Sequence, residues 1–160
     1  MADGPSDSSV IVSAEFSGGW DALVARLKEI QRQMSVNAEV KAGVLGSSDA
    51  DLPTIASTME YGSPEKKIPA RPFLRKALHD PRLAANVARI AAQYYKGSMP
   101  LASALARVGV ASVSAIQTAI GSNIPPPLAP STIAAKGSSK TLIDTGRLRQ
   151  SIHYEIVSKI

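Results

Sequence analysis

Residues 141 to 157 read TLIDTGRLRQSIHYEIV, and the change of period within them decides the class of fold. Asp144 stands where a helix N-cap would, its carboxylate able to accept bonds from the first unpaired amides, and Leu148 and Ile152 follow one turn apart on a single face. These are the marks of a short amphipathic helix. After His153 the period becomes alternating, with Tyr154 and Ile156 on one side and Glu155 and Val157 on the other, which is the pattern of a strand. A helix that runs into a strand needs a sheet elsewhere in the chain to receive it.

Glu39 to Leu45 supplies one partner, with Val40, Ala42 and Val44 inward and Lys41 outward, and Val10 to Phe16 alternates in the same way. Between them Trp20, Leu23, Val24, Leu27, Ile30 and Met34 recur at helical steps, so a β-α-β unit is expected, with Trp20 in the core at the head of the stripe. Next comes a short helix started by Pro53, capped by Asp51 or Thr54, carrying Ile55 and Met59 and ending at Gly62. Ser63 to Pro69 is a basic connection. Pro72 then opens a helix that buries Phe73 or Leu74 with Ala77 and Leu78, and turns Arg71, Arg75 and Lys76 outward. Asp80 and Pro81 read as a fresh cap and first turn, starting the stripe Leu83, Val87, Ile90 and Tyr94 that closes at Gly97. Ser98 is placed to cap the last long helix, whose seam is Leu101, Leu105, Val108, Ser112, Ile116 and Ala119 and which packs antiparallel to the one before it.

The expected class is therefore α+β, a small mainly antiparallel sheet packed against several helices. Residues 1–9 lack apolar content and are expected to form a flexible N-terminal arm, leaving 10–160 as a single domain. Asn123 to Lys140 interrupts that domain. Pro125, Pro126, Pro127 and Pro130 favour an extended backbone there, Gly137, Ser138 and Ser139 loosen its far end, and Ser131 to Lys136 can form one helical turn.

Composition removes several functions. There is no cysteine and there are two isolated histidines, His79 and His153, so no disulfide framework, metal centre or cofactor is expected. No apolar run is read as approaching the roughly twenty residues that span a bilayer, and the polar start does not resemble a signal peptide. The net charge of +5 permits contact with nucleic acid, yet an aromatic content of 4% leaves few rings to stack on bases. A basic nucleic-acid-binding regulator is kept as an alternative function. It would need its cations on one helix face, whereas Arg26, Arg71, Arg89, Arg107 and Arg147 are spread over several elements.

Leu142 to Gly146 also spells the Asp-Thr-Gly signature of aspartic proteases, whose chemistry needs two carboxylates sharing a proton. The reading is disfavoured, because the stretch after Gly146 is expected to be too short for a flap and a supporting segment, and bulky Arg147 falls where such enzymes keep a small residue. The capping role for Asp144 is the better account, and no enzyme is expected.

Three pieces occur in order: Tyr61-Gly62 followed by Ile68-Pro69-Ala70-Arg71-Pro72-Phe73-Leu74-Arg75; then Leu128 to Gly137, LAPSTIAAKG; then Leu142 to Ile152, LIDTGRLRQSI. Together they resemble the virion morphogenesis family of tailed bacteriophages, the tail-completion and neck (head-to-tail connector) proteins, over about Val40 to Val157. The resemblance implies an α+β subunit in a ring, hexameric or alternatively dodecameric, in the neck or at the head-proximal end of the tail. Implied with it are contacts with neighbouring head-completion, tail-terminator or tail-tube proteins, transient nonspecific contact with passing genomic DNA, no membrane, and no catalytic residues. Such a subunit resides in the virion, and in the host cytoplasm during assembly. On this reading Ile124, Pro126, Leu128, Ile133 and Lys136 of the Pro-rich loop are expected to meet a partner or a neighbouring subunit, and Lys66, Lys67, Arg71 and Arg75 to form a basic surface or lumen.

Overall fold

The computed structural model describes residues 19–34, 38–45, 50–137, 139–143 and 146–158, and the chain divides into two compact units, Met1–Ser35 and Val36–Ile160. The division falls inside the stretch expected to be one domain. In the first unit the described element is α1 (Gly19–Met34), with Glu29 and Arg32 paired one turn apart at 2.8 Å. Trp20 is 80% exposed rather than buried, and Val24 and Leu27 are exposed with it. The strand expected at Val10 to Phe16, and with it the β-α-β unit, lies outside the described residues, as does the arm 1–9.

The second unit runs β1 (Ala38–Val44), α2 (Asp51–Tyr61), α3 (Phe73–Leu78), α4 (Pro81–Tyr95), α5 (Leu101–Gly121), α6 (Pro130–Lys136), α7 (Arg147–Gln150) and β2 (Ile152–Ser158). β1 and β2 pair antiparallel from Ala38↔Ser158 to Val44↔Ile152, which makes the α+β class with a small antiparallel sheet the observed one. The register puts Val40, Ala42 and Val44 on the same face as Ile156, Tyr154 and Ile152, and sets Lys41 opposite Glu155 on the other. The apolar face is covered by α5.

α5 is the hub of the unit: both strands, α3 and α4 pack against it. Its buried residues are Ala104, Gly109, Ile116, Ala119 and Ile120; of the seam read in the sequence, Ile116 and Ala119 are among them, and Leu101 and Val108 pack half-buried against the cluster around Ile90 and Tyr94. Ile116, Ala119 and Ile120 join Phe73, Ala77, Leu142, Leu148 and Ile152 in the main core, and a second cluster of Ile90, Tyr94, Met99 and Ala104 ties α4 to the start of α5. By length and composition α5 meets the measure of a bilayer-crossing helix, contrary to the sequence reading. Ser112 and Thr118 donate to the carbonyls of Val108 and Ser114 one turn back, so its hydroxyls are satisfied within the helix.

Side-chain capping by a neighbouring residue is seen at the start of α4 and not at that of α2, whose cap position is Ala50 rather than Asp51 or Thr54. Asp80 accepts a bond from the Arg82 amide at 2.8 Å and Pro81 occupies the first turn of α4, as expected. Ser98 does not cap α5; its hydroxyl donates to the carbonyl of Gln93 behind it, and the cap position of α5 is Pro100. The cap position of α7 is Gly146, at φ +78 with no side-chain cap bond, while Asp144 itself lies outside the described residues.

Gly109 is the position where α5 has no alternative residue. A Cβ there would overlap Cδ2, Cγ and Cε2 of Tyr154, the β2 residue that faces the helix. Alanine in a helix is favoured over glycine by about 1 kcal/mol, but overpacking against the root of a ring costs about 1–3 kcal/mol. Gly109→Ala is therefore expected to lower the denaturation midpoint, and the loss should be largely recovered when Tyr154→Ala is added, a nonadditivity that chemical denaturation of the two single variants and the double variant measures.

Candidate partner-docking cleft

The site is assembled from the turn that follows α2. Leu52, Ala56 and Glu60 recur every four residues and form the buried face of α2, so a carboxylate stands in line with two apolar side chains. Glu60 is 4% exposed, and its two oxygens accept the amides of Leu74 at 2.8 Å and Arg75 at 3.1 Å. It thus caps α3 from another helix, where the cap position itself, Pro72, supplies no side-chain bond. The Arg75 guanidinium adds a longer contact at 3.9 Å.

Between the two helices the chain makes a tight excursion. Gly62 takes φ +79, and a Cβ on it would stand 2.8 Å from the Ala70 nitrogen and 2.9 Å from the Ile68 carbonyl, so glycine is required on both counts. Ser63 and Ile68 exchange backbone hydrogen bonds at 2.8 and 2.9 Å, leaving Lys66 and Lys67 exposed at the tip. The Arg71 amide then donates to the Met59 carbonyl, and Phe73 drops into the core, fully buried.

Arg71 is held between these two anchors and turns inward. It is 5% exposed, which corrects the expectation that it belongs to a basic surface with Lys66, Lys67 and Arg75; those three are exposed. Its Nη2 donates to the Pro126 carbonyl at 3.0 Å, and its Nε is buried without an acceptor.

That bond joins the turn to the Pro-rich loop. After α5 the chain reverses at Asn123, at φ +51, whose side-chain oxygen accepts the Thr141 amide at 3.2 Å and so clamps the two ends of the loop. The reversal returns Ile124 onto the end of α5. It is 5% exposed, within the subunit's own core rather than available to a partner, which corrects the sequence reading. Pro126 is exposed, Leu128 is half-buried, and α6 carries exposed Ser131, Thr132 and Ile133; the Lys136 side chain lies outside the described residues.

These segments enclose a cleft of about 680 Å3. One wall is Leu52, Ile55 and Met59 of α2; a second is Lys67, Ile68, Pro69 and Arg71; a third is Pro127, Leu128, Ala129 and Thr132; and the floor is Thr141, Leu142, Gly146, Arg147 and Leu148. The size is that of ligand sites generally, and the lining is apolar with a few polar groups, the composition of a binding site. Among the described lining residues there are three cations and no carboxylate. Thr141 is buried, and its hydroxyl has no hydrogen-bond partner. Among the described residues there is no grouping of carboxylates and histidines able to hold a metal ion.

Sequence reasoning missed Glu60 and Thr141. The four-residue spacing of Leu52, Ala56 and Glu60 was a usable signal for the first, whereas the second depends on a partner eighteen positions away, Asn123, that no local pattern reveals. Comparison of the chain with family models, with curated proteins and with solved structures finds no match.

Removing the Glu60 carboxylate strips two part-buried amides of their acceptor at a cost of about 1–3 kcal/mol. Glu60→Ala is expected to lower thermal stability by that amount and to increase hydrogen exchange at Leu74 and Arg75, while Glu60→Gln, which keeps an acceptor oxygen, should lose less; exchange mass spectrometry across α3 distinguishes the two.

Proposed function

We propose that this chain is a structural subunit of a tailed-bacteriophage virion, assembling as a ring in the neck or at the head-proximal end of the tail and serving head-to-tail joining or tail completion. The observation that carries the proposal is a convergence. The three pieces of sequence that resemble the family are far apart in the chain, yet Ile68, Pro69 and Arg71 of the first, Leu128, Ala129 and Thr132 of the second, and Leu142, Gly146, Arg147 and Leu148 of the third line one cleft.

The surroundings suit an assembly contact. α6 projects its side chains from the rim of the cleft, held at one end by the Pro126–Arg71 bond and at the other by the Asn123–Thr141 clamp, so an exposed element sits on a rigid base. A contact element whose approach is already fixed loses less conformational freedom on docking than a flexible one. Exposed Lys66, Lys67 and Arg75 supply a diffuse positive surface, adequate for weak, salt-sensitive contact with a passing duplex and too sparse to hold it.

Ile133 is the test position, because it is apolar, on α6 and exposed in the single subunit. Ile133→Asp is expected to leave thermal melting within about 0.5 kcal/mol of the parent while abolishing the ring seen by light scattering and electron microscopy and leaving heads and tails unjoined. Normal rings from this variant would remove α6 from the contact, and a monomeric parent chain that binds one duplex sequence at high salt would replace the proposal with the regulator reading.

A further inference from the structure

We infer that the cleft receives a polypeptide segment in which a carboxylate stands beside an aliphatic side chain, and that Arg71 anchors the carboxylate. The inference rests on the reading of this cleft as an assembly contact and names the chemistry of the segment that enters it.

The guanidinium carries five N–H donors in a planar fork, and a buried cation is stable only when its charge and its donors are met. Arg71 meets one neutral acceptor, the Pro126 carbonyl, and its Nε is enclosed with none. Thr141 presents a second buried, unpartnered polar group to the same cleft. Two such groups lining one cavity mark the place of an acceptor that none of the described residues supplies.

Charge defines that acceptor. Lys67 lines the cleft with Arg71, and no carboxylate does so among the described residues. The remaining walls, from Leu52 and Met59 to Leu128, Leu142 and Leu148, are aliphatic. A nucleic-acid backbone would bring a row of phosphates and no apolar surface to bury against these walls, and among the described lining residues there is no aromatic ring on which a base could stack. An acidic residue flanked by leucine or isoleucine satisfies both requirements at once. A carboxylate also forms a stronger, charge-assisted bond to arginine than a carbonyl does. It can therefore take the Arg71 donors that the Pro126 carbonyl leaves unmet, with that bond still in place.

The test uses the full chain labelled with 15N, in which the Arg71 Nε–H resonance is identified by its loss in Arg71→Lys. The probes are a short acetylated and amidated peptide alternating leucine and glutamate, its glutamine counterpart, inorganic phosphate and a DNA duplex. Titrations are run on the parent and on Ile133→Asp, so that a cleft filled by neighbouring copies is not mistaken for an inert one. The glutamate peptide is expected to move the Arg71 Nε–H and the methyl resonances of Leu128 and Leu142 saturably, with the glutamine peptide about tenfold or more weaker. Equal binding of the two peptides, no response to either, or the same response to phosphate or duplex at lower concentration overturns the inference. Light scattering on the parent separates the two readings: rings without a glutamate preference sink this one alone, and a glutamate preference in a chain that never forms rings keeps the cleft chemistry and removes the ring.

Discussion

The ring of Tyr154 rests on the bare backbone of α5 at Gly109, and the closeness of that contact sets the separation between the helix and the sheet. A two-stranded sheet is marginal by itself and needs a surface to lie on. α5 provides it, and because α3 and α4 also pack on α5, one helix positions both strands and two further helices of the second unit. A side chain at Gly109 would push the sheet outward and loosen Ile152, which shares the core with Phe73 and Ile120 on the helix's other contacts. The strictness of one residue is thus transmitted to a core built from distant segments.

Two buried ionic side chains lie close in the sequence and are treated in opposite ways. Glu60 is enclosed, yet both its oxygens receive backbone amides at the start of α3, where the aligned peptide dipoles favour a negative charge. Its desolvation is offset inside the subunit. Arg71 is enclosed to a similar degree with one neutral acceptor. Such an imbalance is costly in the single chain. α2 thus meets the charge it buries, whereas Arg71 in the turn after it keeps a buried donor unmet.

What could be read from the sequence was what neighbouring residues decide between themselves. Asp80 with Pro81, Gly62, the alternation through Val40 to Val44 and the short helix after Pro130 were all legible, because cap chemistry, positive φ and period are local. Gly109 was not, since the need for it comes from Tyr154 on β2, which is distant in sequence and faces the helix. Ile124 was read as a loop residue seeking a partner, and Arg71 as a surface cation, because nothing nearby announces that Asn123 reverses the chain or that Pro126 lies over the guanidinium. Trp20 heads a clear amphipathic stripe and is exposed all the same. Periodicity says which face of a helix is apolar; it does not say what covers it.

The pairing of β1 with β2 also governs the order in which the chain can mature. Val44 and Ile152 bracket every helix of the second unit, so their meeting closes a loop that contains nearly all of it. Closing so long a loop costs about 4 kcal/mol of chain entropy before any cross-strand contact repays it. Contacts this distant in sequence slow folding. During synthesis β2 follows every other described element of its unit out of the ribosome, and until then β1 has no partner among them and α5 lacks half of the sheet that rests on it. The helices of the cleft, by contrast, are complete in the nascent chain as far as α6. The cleft helices up to α6 therefore precede the clasp, and a chain interrupted before Ile152 would carry them without the sheet that rests on α5.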